Sequence, residues 1–304
     1  MKPSLLTIAK RALTGEAKLE AGAALLAAVS GGPDSMALLH VLGRLSPKLG
    51  FALHAHGVDH GLRAEASREL DVAQAFAEHL GIPFGRSNVR VASGGNLQAR
   101  ARAARFEALA TAARIVGART IATAHHADDR AETVLLRLMR GAGPRGLAVL
   151  PARASLGGQD DLELVRPLLR ARREDVLAHL SRHAIPSSTD PSNLDPRFLR
   201  VRVRRELMPL LEELAPGVAL HLAALADQLA EAGGAEKSEG SAFPLSRSSQ
   251  AALAQLARSR STTARVWLPG ALVVTFDPRS SDAHEAGSRR SPRARPGPRT
   301  ARRP

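Results

Sequence analysis

The sequence predicts an α/β fold in which a parallel β-sheet is covered by helices on both faces. Short apolar runs typical of buried strands alternate with longer segments of helical periodicity along the first part of the chain. Strands that alternate with helices of this length form right-handed crossovers between parallel strands. A small helical region and a disordered basic tail are predicted to follow.

The predicted strands are recognised by apolar or alternating sequence. The clearest is the continuous apolar run before Ser30, which is short enough for a strand buried on both faces. The strand that begins at Ile82 contains Pro83 and Gly85, so we place it toward the edge of the sheet. The five predicted strands of the sheet span residues 23–29, 51–58, 82–91, 120–124 and 162–165.

The predicted helices carry apolar residues at spacings of three and four, and several of them end at a glycine. In the first part of the chain they span residues 4–13, 36–45, 64–80, 97–116, 128–140 and 173–182, with a loop at 141–145. After a polar loop at 186–196 we predict helices over 196–214 and 216–232, a linker at 233–241, a helix at 249–258 and a hairpin over 264–276.

Composition narrows the classes of protein that the chain can belong to. The sequence contains no cysteine, which excludes disulfides, cysteine-ligated metal sites and cysteine nucleophiles. Its apolar runs are too short to span a membrane and its start lacks the features of a secretory signal, so we expect a cytoplasmic protein with no membrane partner. A formal net charge of +14 favours a nucleic-acid partner, although codon bias also produces arginine-rich sequences.

The tail from residue 277 to 304 differs in composition from the rest of the chain. It contains eight arginines and almost no large apolar residue. Such a segment buries too little apolar surface to offset the entropy lost on ordering, so we predict that it is disordered. It is either a flexible electrostatic arm or the frameshifted end of an arginine-rich gene.

A phosphate-binding turn is predicted between Ser30 and Ser35, where the sequence Ser-Gly-Gly-Pro-Asp-Ser joins a strand to a helix. Adjacent glycines let backbone N–H groups converge on an anion, and the helix N-terminus adds the positive end of its dipole. The serine hydroxyls and the Asp34 carboxylate can contact phosphates and a metal ion held by them. The alternative is a tight turn in which Asp34 or Ser35 caps the helix.

A second group of polar residues follows the predicted strand at 120–124. Asp129 and Glu132 lie three residues apart and so share one face of the next helix. Taken singly, these residues fit simpler roles, such as a helix cap at Asp128 or a core histidine at His125. Together, at the carboxyl edge of a sheet, they indicate a site for Mg²⁺ and substrate.

The Ser30–Ser35 segment resembles the pyrophosphate-binding loop of the ATP pyrophosphatases, the PP-loop superfamily, whose pattern is Ser-Gly-Gly-x-Asp-Ser. The resemblance implies a Rossmann-like, adenine nucleotide alpha hydrolase-like fold. It also implies that ATP is cleaved to AMP and pyrophosphate while an oxygen atom is adenylated, with Mg²⁺ as the metal cofactor. The loop residues implied to bind ATP are Ser30, Gly31, Gly32, Pro33, Asp34 and Ser35.

Further segments resemble the tRNA(Ile)-lysidine synthetase family, one branch of this superfamily. Residues 123–133 are similar to its His-His-x-Asp-Asp-Gln-x-Glu-Thr signature, with Arg130 in place of the usual glutamine. In the second predicted strand, His56 matches a histidine that lies near AMP. The other matching segments are Asn96–Phe106, Arg140–Leu147, Arg166–Leu169 and Asp190–Asn193, with Phe106 in place of the usual tyrosine, and the resemblance covers about residues 22 to 214.

This second resemblance implies a two-step reaction on tRNA(Ile) with a CAU anticodon. The C2 oxygen of the wobble cytidine is adenylated, and the ε-amine of free L-lysine then displaces AMP. Asp34 and Asp129 are implied to hold Mg²⁺, and Arg105 to stabilise the adenylate. Asp129 and Glu132 are implied to bind and deprotonate the lysine ammonium, with His125 assisting.

Arginines near this edge are expected to contact tRNA phosphates, with a solvated charged surface as the alternative. They are Arg140, Arg145, Arg200, Arg202 and Arg204.

Two rival functions stay open at this point. One is an ammonia-using amide ligase that resembles NAD synthetase, and the other is a non-catalytic module that binds an adenine nucleotide. The sequence leaves the oligomeric state undetermined, with a homodimer as one option. We expect four segments: a PP-loop ATP pyrophosphatase domain at 1–185, a helical extension at 186–232, a small C-terminal segment at 233–276 and the tail at 277–304.

Overall fold

The computed structural model describes residues 2–59, 61, 65–89, 97–156, 159–188, 195–237, 264–268 and 272–276. The chain divides into two compact units, residues 1–239 and 240–304. In the first unit, a six-stranded sheet is formed by β1 (Ala24–Ala28), β2 (Ala52–Asp59), β3 (Phe84–Asn88), β4 (Thr120–Ala122), β5 (Arg153–Leu156) and β6 (Gln159–Val165). The strand order is β3-β2-β1-β4-β6-β5.

Five of the six strands are parallel, which confirms the predicted fold class. The strand predicted at 82–91 is β3, and it lies at an edge of the sheet, as its proline and glycine indicated. The central strand β1 pairs with β2 on one side and with β4 on the other. The carboxyl ends of these three strands therefore meet at one edge of the sheet.

The strand β5 was not predicted from the sequence, and it makes the sheet mixed rather than wholly parallel. It pairs antiparallel with β6, and the register shifts between Ser155 and Leu156. Only Leu156 of its four residues is buried, so the strand carries neither an apolar run nor a clear alternation. Its ladder of backbone hydrogen bonds depends on the neighbouring strand, which a local pattern does not reveal.

All six helices predicted before residue 185 are present, and a one-turn helix replaces part of the predicted loop at 141–145. Pro144 occupies the first turn of that helix, where its missing N–H has no intrahelical role. The helices are α1 (Leu5–Arg11), α2 (Pro33–Leu49), α3 (Glu65–His79), α4 (Leu97–Ile115), α5 (Ala127–Leu138), α6 (Pro144–Leu147) and α7 (Arg173–Arg182), with a π-helical turn at Ala12–Glu16 after α1.

The C-terminal helices of the first unit lie where two helices were predicted, with two differences. The first is interrupted by a π-helical turn, Val203–Leu207, between α8 (Leu199–Arg202) and α9 (Met208–Leu214). The second, α10 (Val218–Lys237), continues past the predicted start of a linker at residue 233. Gly233 and Gly234 each cost a helix about 1 kcal/mol, but the alanine and glutamate residues around them favour helix.

Side chains of β1 point alternately to two apolar cores, so both faces of the sheet are covered. Leu25 and Ala27 pack in the core that contains the buried face of α2. Leu26 packs on the opposite face, with Leu109 and Ala113 of α4. This two-sided burial explains why the strand reads as a continuous apolar run.

The second unit contains an antiparallel pair, β7 (Ala264–Leu268) and β8 (Leu272–Phe276), as the predicted hairpin requires. The predicted turn at 269–270, the helix at 249–258 and the tail at 277–304 lie outside the described residues. Among the described residues no single helix meets the length and hydropathy needed to cross a membrane. A bent pair, Leu199–Leu214 with Val218–Ala232, meets them jointly, with 96° between its two parts.

Candidate functional site

The phosphate loop, which we define as residues 30–35, joins the carboxyl end of β1 to the N-terminus of α2. Gly32 is the N-cap of α2, and the first described helical hydrogen bond runs from the Met36 N–H to the Gly32 carbonyl at 3.0 Å. Backbone N–H groups in the first turn of a helix have no intrahelical acceptor. The loop therefore presents donors and the positive end of a helix dipole to the edge of the sheet.

The two serines of the loop are held by contacts within the loop itself. Ser35 Oγ donates to the Gly32 carbonyl at 2.8 Å and accepts from the Ser30 N–H at 3.2 Å. The two hydroxyl oxygens are 3.3 Å apart. These bonds close the loop into one turn.

Gly31 makes the loop's closest approach to another element. Its φ is +80°, and a Cβ atom at this position would lie 2.4 Å from the backbone oxygen of Glu69 in α3. Its carbonyl accepts from the Ser188 N–H at 2.9 Å. Both the backbone conformation and the lack of space restrict this position to glycine.

Asp34 and His126 face each other across the two elements of the site. His126 is fully buried and caps α5, where its Nδ1 accepts from the Asp129 N–H at 3.3 Å. Because Nδ1 accepts this bond, Nε2 is the ring nitrogen left to donate. That atom is 3.6 Å from Asp34 Oδ1 and 3.5 Å from Asp129 Oδ2, so His126 lies between the two carboxylates.

Both facing atoms, Asp34 Oδ1 and His126 Nε2, are buried and lack a hydrogen-bond partner among the described residues. Burial raises the pKa of Asp34, and the nearby Asp129 adds to that rise, while His126 opposes it. Buried polar atoms without partners are uncommon and often mark a place where a ligand completes the bonding. The pair therefore indicates a ligand position beside the phosphate loop.

Asp129 and Glu132 of α5 are bound by two arginines from the C-terminal helices. Arg200 donates to Glu132 Oε2 and to Asp129 Oδ1, each at 2.9 Å. Arg204 donates to Glu132 Oε1 at 2.5 Å and to Asp129 Oδ1 at 3.2 Å. We call these four residues the acid–arginine cluster.

Burial alone would raise the pKa of Asp129, but His126, Arg200 and His125 outweigh it and hold the pKa below its usual range. Glu132 is only 2% exposed. A buried carboxylate needs cationic or hydrogen-bonding partners, and here guanidinium groups supply them. The cluster is thus a site in which two carboxylates face positive groups, as binding of an ammonium would require.

Three further arginines, Arg102, Arg105 and Arg166, lie close enough to His125 to affect its pKa. Burial lowers the pKa of Arg166 to about 10, with Arg102 contributing. Burial also lowers the pKa of Arg105, and Arg102 adds to the effect. Among the described residues none of the three lies within ion-pair distance of a carboxylate. Cations that repel one another without an acidic partner form a ready site for an anion.

His125 is held by Thr123, whose Oγ1 lies 3.0 Å from His125 Nδ1. Burial lowers the pKa of His125 to about 4, and Arg166, Arg102 and Arg105 reinforce the shift against the opposing effect of Asp129. The ring is therefore neutral at pH 7. It can accept a proton or a hydrogen bond, but it does not begin as a charged acid.

His56 lies at the far side of the phosphate loop from these groups. Its Nε2 is 2.8 Å from Ser87 Oγ of β3, and burial lowers its pKa. Its backbone carbonyl accepts from the Val29 N–H at 2.9 Å. The side chain is thus turned toward β3, and its contact with ATP stays a prediction.

The arginines predicted to contact tRNA fall into two groups. Arg200 and Arg204 point into the site, as described above. Arg202 is exposed and pairs with Glu206 at 2.9 Å, Arg140 is exposed after α5, and Arg145 is partly buried in α6. The Arg200 side chain is also 46% exposed, and the tRNA contacts of all five arginines stay a prediction.

The described side chains offer few ligands for a resident metal ion. Among the described residues no group of three or more histidine and acidic side chains is arranged to hold a metal ion. Mg²⁺, however, is commonly held by one or two carboxylates together with substrate phosphates. The buried, unpartnered Asp34 Oδ1 fits that donor set, whereas both oxygens of Asp129 already accept hydrogen bonds.

A cavity of about 190 Å³ lies next to the acid–arginine cluster. Its lining mixes both charges with an apolar part, which suits a small zwitterion with an aliphatic chain. Arg172 of this lining is bonded to Asp128 and to Glu212. The residues around the cavity are Asp128, Glu132, Arg172, Arg173, Arg204, Met208, Pro209 and Glu212.

Two features of the site were missed by sequence reasoning. His126 was not singled out, although its position before an Asp-rich first turn is a capping signal that could have identified it. Arg102 and Arg166 appeared only within longer motifs. Their convergence on His125 joins α4, the segment after β6 and the end of β4, and no local pattern contains that information.

Comparison with known proteins identifies the family of the chain. Residues 5–211 match the family model described as the PP-loop domain. A tRNA(Ile)-lysidine synthase from Symbiobacterium thermophilum is 42% identical over 219 residues, which is 70% of this chain and 45% of the relative. Those of Novosphingobium aromaticivorans and Pseudomonas aeruginosa are 43% and 44% identical over 67% of this chain, covering 61% and 46% of their own lengths. The chain thus spans about half the length of the curated relatives it matches.

Among solved structures, the U34-tRNA thiolase NcsA of Methanococcus maripaludis has the same fold. The TM-score is 0.61 at 20% sequence identity, over 74% of this chain and 78% of the thiolase. At that level of identity the similarity shows a shared fold alone.

Proposed function

The chain belongs to the PP-loop domain family, and we propose that it ligates L-lysine to C2 of the wobble cytidine of a tRNA(Ile) with a CAU anticodon, using ATP. The observation that carries the proposal is the convergence of three binding functions at one sheet edge. A phosphate loop, three arginines that form no ion pair with the described residues, and a carboxylate pair lie around His125 and His126. The 42–44% identity to proteins named tRNA(Ile)-lysidine synthase supports the choice of substrate.

In the first step, the C2 oxygen of the cytidine attacks the α-phosphorus of ATP and pyrophosphate leaves. The backbone N–H groups at the start of α2 suit the departing pyrophosphate, because they present donors at a helix N-terminus. Arg102, Arg105 and Arg166 suit the negative charge that remains on the adenylate, because they have no carboxylate of their own among the described residues.

Asp34 is the residue we expect to hold Mg²⁺, which when bound neutralises phosphate charge. Burial raises its pKa, and its Oδ1 has no hydrogen-bond partner among the described residues, so a cation there would compensate the buried charge. Its role in this chain is to present one oxygen toward the phosphates beside the loop.

In the second step, the lysine ε-amine attacks C2, the C2–oxygen bond breaks and AMP leaves. The ammonium of lysine must first lose a proton, for which the carboxylates of Asp129 and Glu132 are the proposed acceptors, with His125 as an additional positioning or proton-transfer group. The adjacent cavity of about 190 Å³ suits the remainder of the amino acid. Arg200 and Arg204 occupy the carboxylates here, so we expect lysine to displace at least one of them.

The decisive experiment measures incorporation of labelled lysine into unmodified tRNA(Ile) with a CAU anticodon, together with release of AMP. We expect incorporation that requires ATP and is absent with a tRNA(Ile) carrying a different anticodon. AMP release that needs ammonia rather than lysine would replace this function with an amide ligase. Nucleotide binding without any turnover would indicate a non-catalytic module.

A further inference from the structure

One charged side chain of α5 is buried although it faces away from the proposed site. Arg130 is only 1% exposed, and it is among the largest fully buried side chains. Its Nε donates to the Val149 carbonyl at 3.0 Å. Its Nη1 lies 2.6 Å from Asp227 Oδ1, an ion pair without the alignment of a hydrogen bond.

Asp227 belongs to α10 and connects Arg130 to two other parts of the chain. Its second carboxylate oxygen contacts Arg170, in the segment between β6 and α7. Arg170 in turn pairs with Glu16 of the N-terminal π-helical turn at 3.2 Å. The result is an alternating series of charges that joins α5, α10, the segment after β6 and the N-terminal region.

Apolar contacts between α5 and α10 lie on both sides of this pair. Ala226, next to Asp227, packs with Val134 of α5 and with Val149. About two turns earlier in α10, Ala219 packs with Ala131 and Leu135 of α5. Arg130 is therefore held within a contact between two helices rather than at its margin.

We propose that Arg130 and Asp227 are positioning residues that fix α5 against α10 and so place Asp129 and Glu132 in the acid–arginine cluster. Arg130 directly follows Asp129 in α5, so any shift of the Arg130–Asp227 ion pair also moves the carboxylates of Asp129 and Glu132. A displacement of about 1 Å at a catalytic group can cost on the order of a hundredfold in rate. Since α10 lies beyond the matched residues 5–211, the support of the site extends outside the PP-loop domain.

The energetics of burial explain why both partners are needed. A guanidinium taken out of water is destabilising unless an anion compensates it, and breaking such a pair is worse than removing both charges. At position 130 the sequence has arginine where the related signature has glutamine, and the Asp227 carboxylate compensates the positive charge of this arginine. Arg130→Gln together with Asp227→Asn is thus the natural neutral pair.

The test is a double-variant cycle in the full chain, with the assay of lysine incorporation resting on the proposed function. Asp227→Asn should lower Tm by about 10 °C, and adding Arg130→Gln should restore most of it. At a fixed interval below each Tm, both variants should raise KM for lysine about tenfold and leave KM for ATP within twofold. Asp227→Glu, which keeps the charge, should restore the lysine KM.

Asp161→Asn is the matched control, because its pair with Arg114 is exposed. A double variant with restored Tm and a wild-type KM for lysine would reduce the pair to a structural role and overturn the proposal, as would an unchanged Tm in Asp227→Asn. If the wild-type chain incorporates no lysine, the proposed function fails separately. Amide hydrogen exchange then tests the proposal without the activity assay. Faster exchange of α5 in the double variant than in the wild type, with α2 unchanged, supports positioning, and unchanged exchange in α5 contradicts it.

Discussion

The phosphate loop and the acid–arginine cluster are two halves of the same site, but they are built by different means. The loop lies within six consecutive residues and is closed by its own hydroxyl and backbone bonds. The cluster joins carboxylates of α5 to arginines that follow them by about seventy residues in the chain. The loop therefore depends on backbone conformation, and the cluster depends on how two helical segments pack.

This difference predicts how each half responds to substitution. A change in the loop acts by steric conflict and backbone strain, whereas a change in the cluster acts by leaving a buried charge without a partner. Single substitutions in each half can therefore separate these two kinds of effect.

The largest effect is expected for Gly31→Ala in the phosphate loop. The added Cβ would lie 2.4 Å from the Glu69 backbone oxygen, so α3 or the loop must move. We expect ATP turnover to AMP to fall by roughly a hundredfold or more, because the phosphate donors are displaced. Gly22→Ala is the matched control, since Gly22 has a φ of +83° but open space around it. Wild-type turnover in Gly31→Ala would contradict the loop geometry.

A comparable loss is expected for Glu132→Gln in the cluster, by a different mechanism. The change removes a charge that faces two guanidinium groups, and lysine incorporation should fall roughly a hundredfold. ATP binding should be preserved, because the phosphate loop is not altered. Glu206→Gln is the control, since the Arg202–Glu206 pair is exposed. If Glu132→Gln incorporates lysine at the normal rate, the cluster is not the ammonium site.

A pH effect is expected where α2 packs on α7, away from both halves of the site. His40 Nδ1 lies 2.9 Å from His179 Nε2, and the His183 ring lies 4.8 Å from that of His40. Burial lowers the pKa of His40 and of His179 to about 4, from 6.5. His183 contributes to both shifts, and Arg44 and Arg182 also face the group.

Because these folded-state pKa values lie below the unfolded value, the neutral rings stabilise the fold above pH 6.5. That stability is lost as the pH falls from 6.5 toward 4, by an amount on the order of 3 kcal/mol. Chemical denaturation at several pH values should show this loss and a weaker pH dependence in His179→Gln. An exposed histidine, His221→Gln, should leave the profile unchanged. A flat stability profile across this range in the wild type would disprove the coupling.

The double variant Arg200→Ala, Arg204→Ala distinguishes a tRNA contact from a role confined to the cluster. If these arginines bind tRNA phosphates, removing each interaction should make the slope of log affinity for tRNA against log salt shallower by about 0.7 to 0.9. Arg153→Ala, at the exposed pair with Glu163, serves as the control. An unchanged slope with an altered KM for lysine would assign both arginines to the carboxylates alone.

The smallest effect is expected for truncation after Phe276. A flexible arm with eight arginines would raise the association rate, so its removal should weaken tRNA binding several-fold at low salt. Turnover at saturating tRNA should stay the same. Unaltered affinity at low salt would mean that the tail does not act as an arm.

Local patterns predicted most of the fold and one half of the site. The apolar run of β1, the helical periodicity of α2 and the loop between them follow from neighbouring residues, and the structure contains all three. The strand β5 was not predicted because it carries neither an apolar run nor a clear alternation, although it pairs with the next strand in the chain, and the π-helical turn at Val203–Leu207 was not predicted either. Arg200 and Arg204 were predicted to face tRNA, and their bonds to Asp129 and Glu132 became evident only in three dimensions.

By itself the sequence determined the α/β class, the position of the phosphate loop and the helix face that carries Asp129 and Glu132. These depend on periodicity, glycine conformation and capping, all of which act over a few residues. Tertiary structure alone decided that His126 lies between Asp34 and Asp129, that three arginines converge on His125 and that Asp227 compensates Arg130. Charge pairing in a buried site depends on the distances between segments that are remote in the chain. The packing of those segments sets these distances.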